Sequence, residues 1–190
     1  MVLYYGATDK RAVKCMLLDM RPIISDGKTS IDFDIPLQKE DCAVLTELYP
    51  DVQFDFPIRL VGQVKNMAGY MVLKIDADIK FTTPCARCAE PADYSFALSL
   101  EKSIATGDTS RDNDDYIFIE DMKLDIATPT LEEIIFHMPS RVLCREDCRG
   151  LCPRCGKNLN EGDCDCKKTQ GDPRLAILRS LLEKDDPSAK

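Results

Sequence analysis

VQFDFPIRLVGQVKNMAGYMVLKIDADIKF (residues 52–81) carries the most regular hydrophobic pattern in the chain. Apolar residues occupy mainly even positions in its first half and odd positions in its second half. Alternation at every second position is typical of a strand with one buried face. The two halves are joined by NMAG (66–69), a turn-like link that contains asparagine and glycine. We therefore predict an antiparallel hairpin, in which Gly62 interrupts the apolar series as a bulge.

Further strands are predicted on both sides of this hairpin. IDFDIPL (31–37) alternates apolar and acidic residues, and DYSFALSLEKSI (93–104) places Tyr, Phe and Leu side chains on one face. YIFIED (116–121) and KLDIA (123–127) are shorter apolar runs, and MLLDMRPIISDG (16–27) begins as a strand. Alternating runs bounded by turn residues are expected to join one sheet.

Two helices are predicted after the strands. TPTLEEIIFHM (128–138) has Thr130 as a candidate N-cap, with Glu133 completing a capping box, and a proline follows it. GDPRLAILRSLLEK (171–184) starts with an aspartate N-cap and a proline, and its leucines form one apolar face. The predicted fold class is therefore α+β: an antiparallel sheet scaffold, a few helices and a C-terminal cysteine-rich segment.

A chain of 190 residues has room for one sizeable core and a small appended module. Residues 1–15 differ in character from the rest of the chain and are expected to be an extension, with Met16 a candidate for the natural start. Residues 16–142 form the predicted sheet domain, in which the polar, acidic stretch 106–115 is expected to be a mobile loop. Residues 143–184 form the cysteine-rich segment and the last helix.

Charge is unevenly distributed along the chain. The total is −8, but residues 1–140 have 14 Lys and Arg against 24 Asp and Glu, whereas residues 141–184 have 10 against 7. An acidic body disfavours nonspecific binding to a phosphate backbone, so only the C-terminal segment is expected to face phosphates. No apolar run approaches the length of a membrane span, and charges near the N-terminus interrupt any apolar core of a secretion signal. We expect a cytoplasmic protein.

Eight of the ten cysteines form four close pairs. Paired cysteines in a chain expected to be cytoplasmic indicate structural zinc, because zinc takes four thiolates in a tetrahedron. A dithiol redox centre, an iron–sulfur cluster and disulfides are the alternatives. Cys15 and Cys42 stand alone and are expected to be small buried or incidental residues. The predicted ligands of two zinc ions are Cys85, Cys88, Cys144, Cys148, Cys152, Cys155, Cys164 and Cys166.

The four pairs can combine in more than one way. We favour a site made of 85, 88, 144 and 148, and a compact site made of 152, 155, 164 and 166. In the rival arrangement, 144 and 148 share a site with 152 and 155, while 85 and 88 join 164 and 166. A site closed by four sulfurs leaves no position for water or substrate, so either arrangement predicts structural metal.

Catalytic motifs are not found in the sequence. The single histidine, His137, has no partner motif, and we expect it to be a packed or surface residue. The acidic pairs at 114–115 and 132–133 are adjacent residues that are expected to be solvated. The sequence contains neither a phosphate-cradling glycine loop nor a nucleophile elbow. We therefore predict that the protein is not an enzyme.

Four blocks together are similar to a known family: CARCAEP (85–91), YIFIED (116–121), LCREDCRGLCPRCGKNLNEGDCDC (143–166) and DPRLAILRSLL (172–182). They resemble the YceD-type large ribosomal RNA subunit accumulation proteins over nearly the whole chain. The resemblance implies a non-catalytic factor in large-subunit biogenesis that is needed for accumulation of 23S rRNA. The implied partner is large-subunit rRNA or its precursor particle, or a ribosomal protein, with no membrane and no small-molecule substrate.

Basic residues near the cysteines are the candidate contacts for such a partner. They are expected to meet rRNA phosphates or a ribosomal protein at discrete points. The alternative is that they only balance the thiolates and nearby acids, and a second function class, a zinc-thiolate redox or zinc-sensing protein, also stays open. The acidic body is an alternative contact surface for a basic ribosomal protein. The candidates are Arg145, Arg149, Arg154, Lys157, Lys167, Lys168 and Arg174.

Overall fold

A computed structural model describes residues 16–68, 70–105 and 116–166. The predicted extension 1–15, the predicted loop 106–115 and the predicted helix 171–184 therefore lie outside the described residues. The described strands are β1 (Leu17–Asp19), β2 (Ser30–Leu37), β3 (Gln53–Phe54), β4 (Ile58–Met67), β5 (Tyr70–Pro84), β6 (Pro91–Ala105), β7 (Tyr116–Glu120) and β8 (Lys123–Asp125). The described helices are α1 (Arg21–Ile24), α2 (Ala43–Leu48) and α3 (Ala127–His137), with a 3-10 helix at Lys39–Cys42.

One sheet contains all the described strands, in the order β1-β8-β7-β6-β5-β4-β2, with β3 beside one end of β5. The predicted hairpin is confirmed, since β4 and β5 pair antiparallel from Leu60 with Ala77 to Met67 with Tyr70. The longest pairing joins β5 to β6 and ends where Pro84 lies opposite Pro91. A sheet with a few helices confirms the predicted α+β class.

One pairing departs from the predicted antiparallel sheet. Strands β6 and β7 run parallel, with Ser103 opposite Tyr116. Alternating burial reports which face of a strand is covered, and it is the same for both strand directions. The sequence pattern therefore identified both strands without fixing their relative direction.

The core lies on one face of this sheet. Leu60, Leu73, Ile75 and Ile79 are fully buried there, and α3 packs against β6. Burying one such side chain is worth roughly 1.5–3 kcal/mol. The alternate residues of β5 from Lys74 to Lys80 are exposed, which leaves a polar outer face. The sheet is therefore covered on one side, as the alternating pattern predicted.

The predicted strand over residues 52–65 is divided in the structure. β3 ends at Phe54 and β4 begins at Ile58, with Pro57 between them. Proline has no N–H to give to a ladder, so it interrupts strand pairing. β3 instead pairs with the far end of β5, where the Phe54 and Phe81 rings lie 5.6 Å apart.

The prediction of a bulge at Gly62 is wrong. Gly62 pairs with Phe33 of β2 and Ile75 of β5 without a break in either register. A β-carbon at this position would lie 2.5 Å from the carbonyl oxygen of Lys74 and would also overlap the Phe33 ring. Glycine is therefore required because the ring of a neighbouring strand covers this position.

The predicted N-cap of α3 is also wrong. The helix begins at Ala127, and Thr130 is buried inside it, where its hydroxyl donates to the Ile126 carbonyl at 2.7 Å. The carboxylate of Asp125 accepts from the N–H groups of Ala127 at 3.0 Å and Thr128 at 3.2 Å. Asp125 therefore caps the first turn, and no capping box with Glu133 forms. The helix ends at His137, shortly before Pro139, as predicted.

The chain divides into two compact units, Met1–Glu146 and Asp147–Lys190. The sheet and helices belong to the first unit. In the described part of the second unit, turns replace regular elements, with one isolated bridge between Leu151 and Asn158. Among residues 147–166, the buried apolar side chains are Cys148 and Cys152. Among the described residues, no helix has both the length and the apolar character needed to cross a membrane.

Candidate metal centres

The eight paired cysteines come together in two groups of four, and within each group the sulfur atoms lie within 4.8 Å of one another. A tetrahedron with zinc–sulfur bonds of ~2.3 Å separates its sulfurs by about 3.8 Å, so both groups fit a four-thiolate metal. The structure therefore shows the favoured arrangement of the pairs and not the rival one. The first group is Cys85, Cys88, Cys144 and Cys148, and the second group is Cys152, Cys155, Cys164 and Cys166.

The tip of the β5–β6 hairpin forms the first Cys-x-x-Cys turn. The N–H of Cys85 donates to the Glu90 carbonyl at 2.8 Å, and the N–H of Ala89 donates to the Cys85 carbonyl at 2.9 Å. Ala89 has a φ of 61°, which closes the turn in the left-handed region. The N–H of Arg87 lies 3.5 Å from the Cys85 sulfur. The hairpin thus aims backbone donors at a thiolate.

The segment after α3 supplies the other two cysteines of the first group, Cys144 and Cys148. The N–H of Ala86 donates to the carbonyl of Val142 at 2.9 Å, which fixes the segment against the turn. The Cys88 and Cys144 sulfurs are consequently 3.5 Å apart. That separation is far longer than a disulfide bond of ~2.05 Å and suits two ligands of one ion.

The second group is built on the turn CPRCG (152–156). The N–H of Cys152 donates to the Lys157 carbonyl at 2.8 Å, and the N–H of Gly156 donates to the Cys152 carbonyl at 2.9 Å. Gly156 has a φ of 72°, a left-handed conformation that glycine adopts without strain. The sulfurs of Cys152 and Cys164 are 3.4 Å apart.

Hydrogen bonds and burial shift the pKa values of individual thiols in both groups. Burial raises the pKa of the Cys85 thiol, but backbone N–H donors, beginning with Arg87, outweigh it and lower the pKa to about 6. The N–H groups of Cys155 and Arg154 lower the pKa of the Cys152 thiol to about 6. A hydrogen bond with the Cys155 sulfur, followed by burial, raises the pKa of Cys166 to about 12. Cys85 and Cys152 therefore each offer a thiolate near neutral pH to begin metal binding.

The basic residues predicted to contact a partner have different interactions in the structure. Arg149 pairs with the carboxylate of Asp163, and the Lys157 ammonium donates to the Asp163 carbonyl at 2.8 Å. Arg145 and Arg154 are exposed. Charge balance by a nearby acid thus describes Arg149, whereas Lys157 is held by a backbone carbonyl. The remaining candidates, Lys167, Lys168 and Arg174, lie outside the described residues.

The other singled-out residues have packing contacts. The Nδ1 atom of His137 lies 3.0 Å from the Glu133 carbonyl, and its ring stacks on Phe96 with centroids 6.5 Å apart. Cys42 is fully buried, and burial, with a smaller effect of Asp41, raises the pKa of its thiol to about 12. Cys42 is therefore an inert core residue, as predicted, whereas Cys15 lies outside the described residues.

Two functional candidates were missed in the sequence. Asn158 and Asn160 lie in the loop between the cysteine pairs of the second group, and the side-chain amide of Asn160 donates to the Cys148 sulfur at 3.4 Å. An asparagine amide carries both donors and an acceptor, so one side chain can donate to a sulfur and accept from a backbone N–H. Their place in the GLCPRCGKNLN block was the available signal, but it did not specify a partner.

The fold and the two groups define a class of protein: an α+β sheet protein with two closed four-cysteine groups that can hold metal ions. The profile of the family described as large ribosomal RNA subunit accumulation protein YceD matches residues 73–182, more than half of the chain. The chain belongs to the YceD family. The resemblance inferred from the sequence blocks is thereby confirmed.

Individual relatives extend this match. The uncharacterized protein YlbN of Bacillus subtilis is 29% identical over 163 residues, which cover 85% of this chain and 93% of that protein. The uncharacterized protein Rv2926c of Mycobacterium tuberculosis is 31% identical over 102 residues, 52% of this chain and 49% of that protein. The Arabidopsis thaliana large ribosomal RNA subunit accumulation protein YCED homolog 1, chloroplastic, is 30% identical over 61 residues, 32% of this chain and 19% of that protein. No solved structure matches the chain.

Proposed function

We propose that this chain is a non-catalytic factor in biogenesis of the large ribosomal subunit, needed for accumulation of 23S rRNA in the cytoplasm. The observation that carries the proposal is membership of a family named for accumulation of large-subunit ribosomal RNA. The family description names an RNA outcome rather than a reaction. The two four-cysteine groups support a non-catalytic role, because a site closed by four sulfurs has no position for a substrate.

Each four-cysteine group is proposed to hold one structural zinc ion. Four thiolates at tetrahedral spacing are a donor set that zinc prefers. The described part of the second unit buries little besides Cys148 and Cys152, so hydrophobic burial contributes little to its folding. Zinc would supply that free energy, because metal binding to such a segment is coupled to its folding.

The proposed partner is large-subunit rRNA, its precursor particle or a ribosomal protein. The sheet domain, 16–142, would act as the scaffold, and the segment 143–184 would present the contacts, with the extension 1–15 outside both. The described candidates are Arg145, Arg149, Arg154 and Lys157, and all four are exposed. Lys167, Lys168 and Arg174 belong to the same proposal.

A redox or zinc-sensing role is the second candidate. Its support is the exposure of Cys155 in the second group, since oxidants reach exposed thiolates first. Mild peroxide distinguishes the two functions. Zinc that stays bound favours an assembly factor, whereas ready zinc release with disulfide formation favours a sensor.

The direct test is sedimentation of a cell extract on a sucrose gradient, with and without the gene. We expect the protein to migrate with immature large-subunit particles, and its deletion to reduce 23S rRNA. Arg154→Glu should weaken this co-migration, whereas Lys74→Glu on the polar sheet face is the matched charge reversal and should not. A protein that stays at the top of the gradient, together with unchanged rRNA, would refute the proposal.

A further inference from the structure

Asn160 joins the loop of the second group to a ligand of the first group. Its Nδ2 atom lies 3.4 Å from the Cys148 sulfur and 2.9 Å from the Oδ1 atom of Asn158. Its Oδ1 atom accepts the backbone N–H of Arg149 at 2.8 Å. The side chain thus contacts a predicted metal ligand and the residue next to this ligand in the chain.

The orientation of the Asn160 amide is determined by these three contacts together. Exchanging its oxygen and nitrogen would place its one oxygen against both the Cys148 sulfur and the Oδ1 atom of Asn158. It would also place an N–H group against the N–H of Arg149. All three contacts would become unfavourable, so the donor points at the sulfur.

The backbone around Asn160 depends on the second group. Residues 156–163 form the loop between Cys155 and Cys164, which a metal on the second group would close. The N–H of Leu159 donates to the Gly150 carbonyl at 2.9 Å, which holds this loop beside the start of the segment. Closing the loop therefore orders Asn160 in the position from which it reaches Cys148.

We propose that Asn160 couples the two metal sites, so that loading of the second group strengthens metal binding by the first. An N–H donor stabilises the negative charge of the Cys148 thiolate and orients it as a ligand. Loss of such an outer partner typically weakens metal affinity by about 10- to 100-fold. Asn160 is a positioning residue for the first group, and the inference rests on the proposed structural zinc.

The first test compares zinc release from each group in the full-length, zinc-loaded protein. A chelator is added, thiols are alkylated in pulses, and mass spectrometry identifies the modified cysteines. In Asn160→Ala, the first-group cysteines should become reactive about 10- to 100-fold faster than in the wild type. Glu161→Ala, an exposed neighbour, is the matched control and should behave as the wild type. Unchanged release from the first group in Asn160→Ala would overturn the proposal.

Asn160→Asp separates the contact with sulfur from a merely structural role. An aspartate keeps the acceptor for the Arg149 N–H but places a negatively charged oxygen against Cys148. The coupling requires first-group release at least as fast as in Asn160→Ala, with the thiolate-to-cobalt absorption band of the Co²⁺-loaded protein moved to longer wavelength. Rescue by Asn160→Asp would show that only the acceptor matters, and would overturn the proposal.

A double-mutant cycle measures the coupling itself. Cys164→Ser with Cys166→Ser removes the second site and should accelerate zinc release from the first group as much as Asn160→Ala does. Adding Asn160→Ala to this protein should have little further effect, whereas independent, multiplying effects would contradict the coupling. If the protein with Cys164→Ser and Cys166→Ser does not fold, the Asn160→Ala and Asn160→Asp results decide whether the coupling exists.

The zinc content of the purified wild type separates failure of this inference from failure of the proposed metal sites. Absence of zinc would refute the proposed metal sites as well, whereas two zinc ions without coupling would refute this inference alone.

Discussion

The two four-cysteine groups have the same donor atoms but different structural support. Cys85 and Cys88 lie at the tip of the β5–β6 hairpin, and three of the four cysteines in the first group are buried. Turns carry the second group, in which only Cys152 is buried. A hairpin holds two sulfurs at ligand spacing before any metal binds, whereas a turn-built segment gains that order from the metal. The comparison predicts that folding and metal binding are separable for the hairpin that carries Cys85 and Cys88, and inseparable for the turns that carry the second group.

Removal of metal should have the largest effect. After chelation, the amides of residues 150–163 should lose protection from hydrogen exchange, while those in the centre of β5 and β6 keep it. The reason is that zinc binding to a small thiolate segment contributes about 10–16 kcal/mol of apparent free energy. Exchange followed by mass spectrometry, with a zinc-reloaded sample as control, measures both regions. Persistent protection of 150–163 without metal would remove the distinction between the two groups.

Truncation of a side chain in the sheet core should affect the first group more than the second. Leu73 is fully buried in the middle of β5, so Leu73→Ala should reduce the free energy of unfolding of the first unit by about 2–5 kcal/mol. Urea unfolding measures this loss, and Val61→Ala on the exposed face should cost under about 0.5 kcal/mol. Zinc release should accelerate more at Cys85 and Cys88 than at Cys155. Equal acceleration at both groups would show that the second also depends on the sheet.

The sequence predicted the sheet-supported half of this comparison well. Alternating apolar residues identified β2, β4, β5 and β6, because burial of one face imposes a period of two on any strand. Short spacing, with one to three residues between the two members, identified the cysteine pairs, since a single turn brings two sulfurs together. The relative direction of β6 and β7 did not follow, because the same period describes parallel and antiparallel neighbours. Helix α2 has six residues, too few to show a helical repeat.

The missed features all depend on how the chain is folded around each residue. Gly62 is required by the Phe33 ring of a neighbouring strand, which no local pattern reveals. Asn160 donates to the sulfur of Cys148, and its role becomes visible only when the loop is folded. Likewise, the cap of α3 shifted from Thr130 to Asp125 because the helix starts one turn earlier than its sequence signal indicated.

A side chain at position 62 should destabilise the sheet by less than truncation of Leu73 does. A methyl group at this position would overlap the Phe33 ring and the Lys74 carbonyl, so Gly62→Ala should cost about 1–3 kcal/mol of stability. Urea unfolding of the zinc-loaded protein measures this cost. Phe33→Leu added to Gly62→Ala should restore only part of the loss, because the backbone overlap remains. An unchanged midpoint would show that β2 and β5 separate at little cost, and that the scaffold of the first group is looser than its register implies.

The smallest predicted effect comes from the cap of α3. Asp125→Ala removes the acceptor for the N–H groups of Ala127 and Thr128, so it should lower stability by about 0.5–2 kcal/mol. Since α3 leads directly into the segment that carries Cys144, zinc release from the first group should increase slightly, while release from the second stays unchanged. Asp125→Asn keeps a side-chain acceptor and is the matched control, with most of the stability retained. Site-resolved alkylation together with urea unfolding measures both quantities. A larger loss from the second group than from the first would contradict the dependence of the first group on this helix.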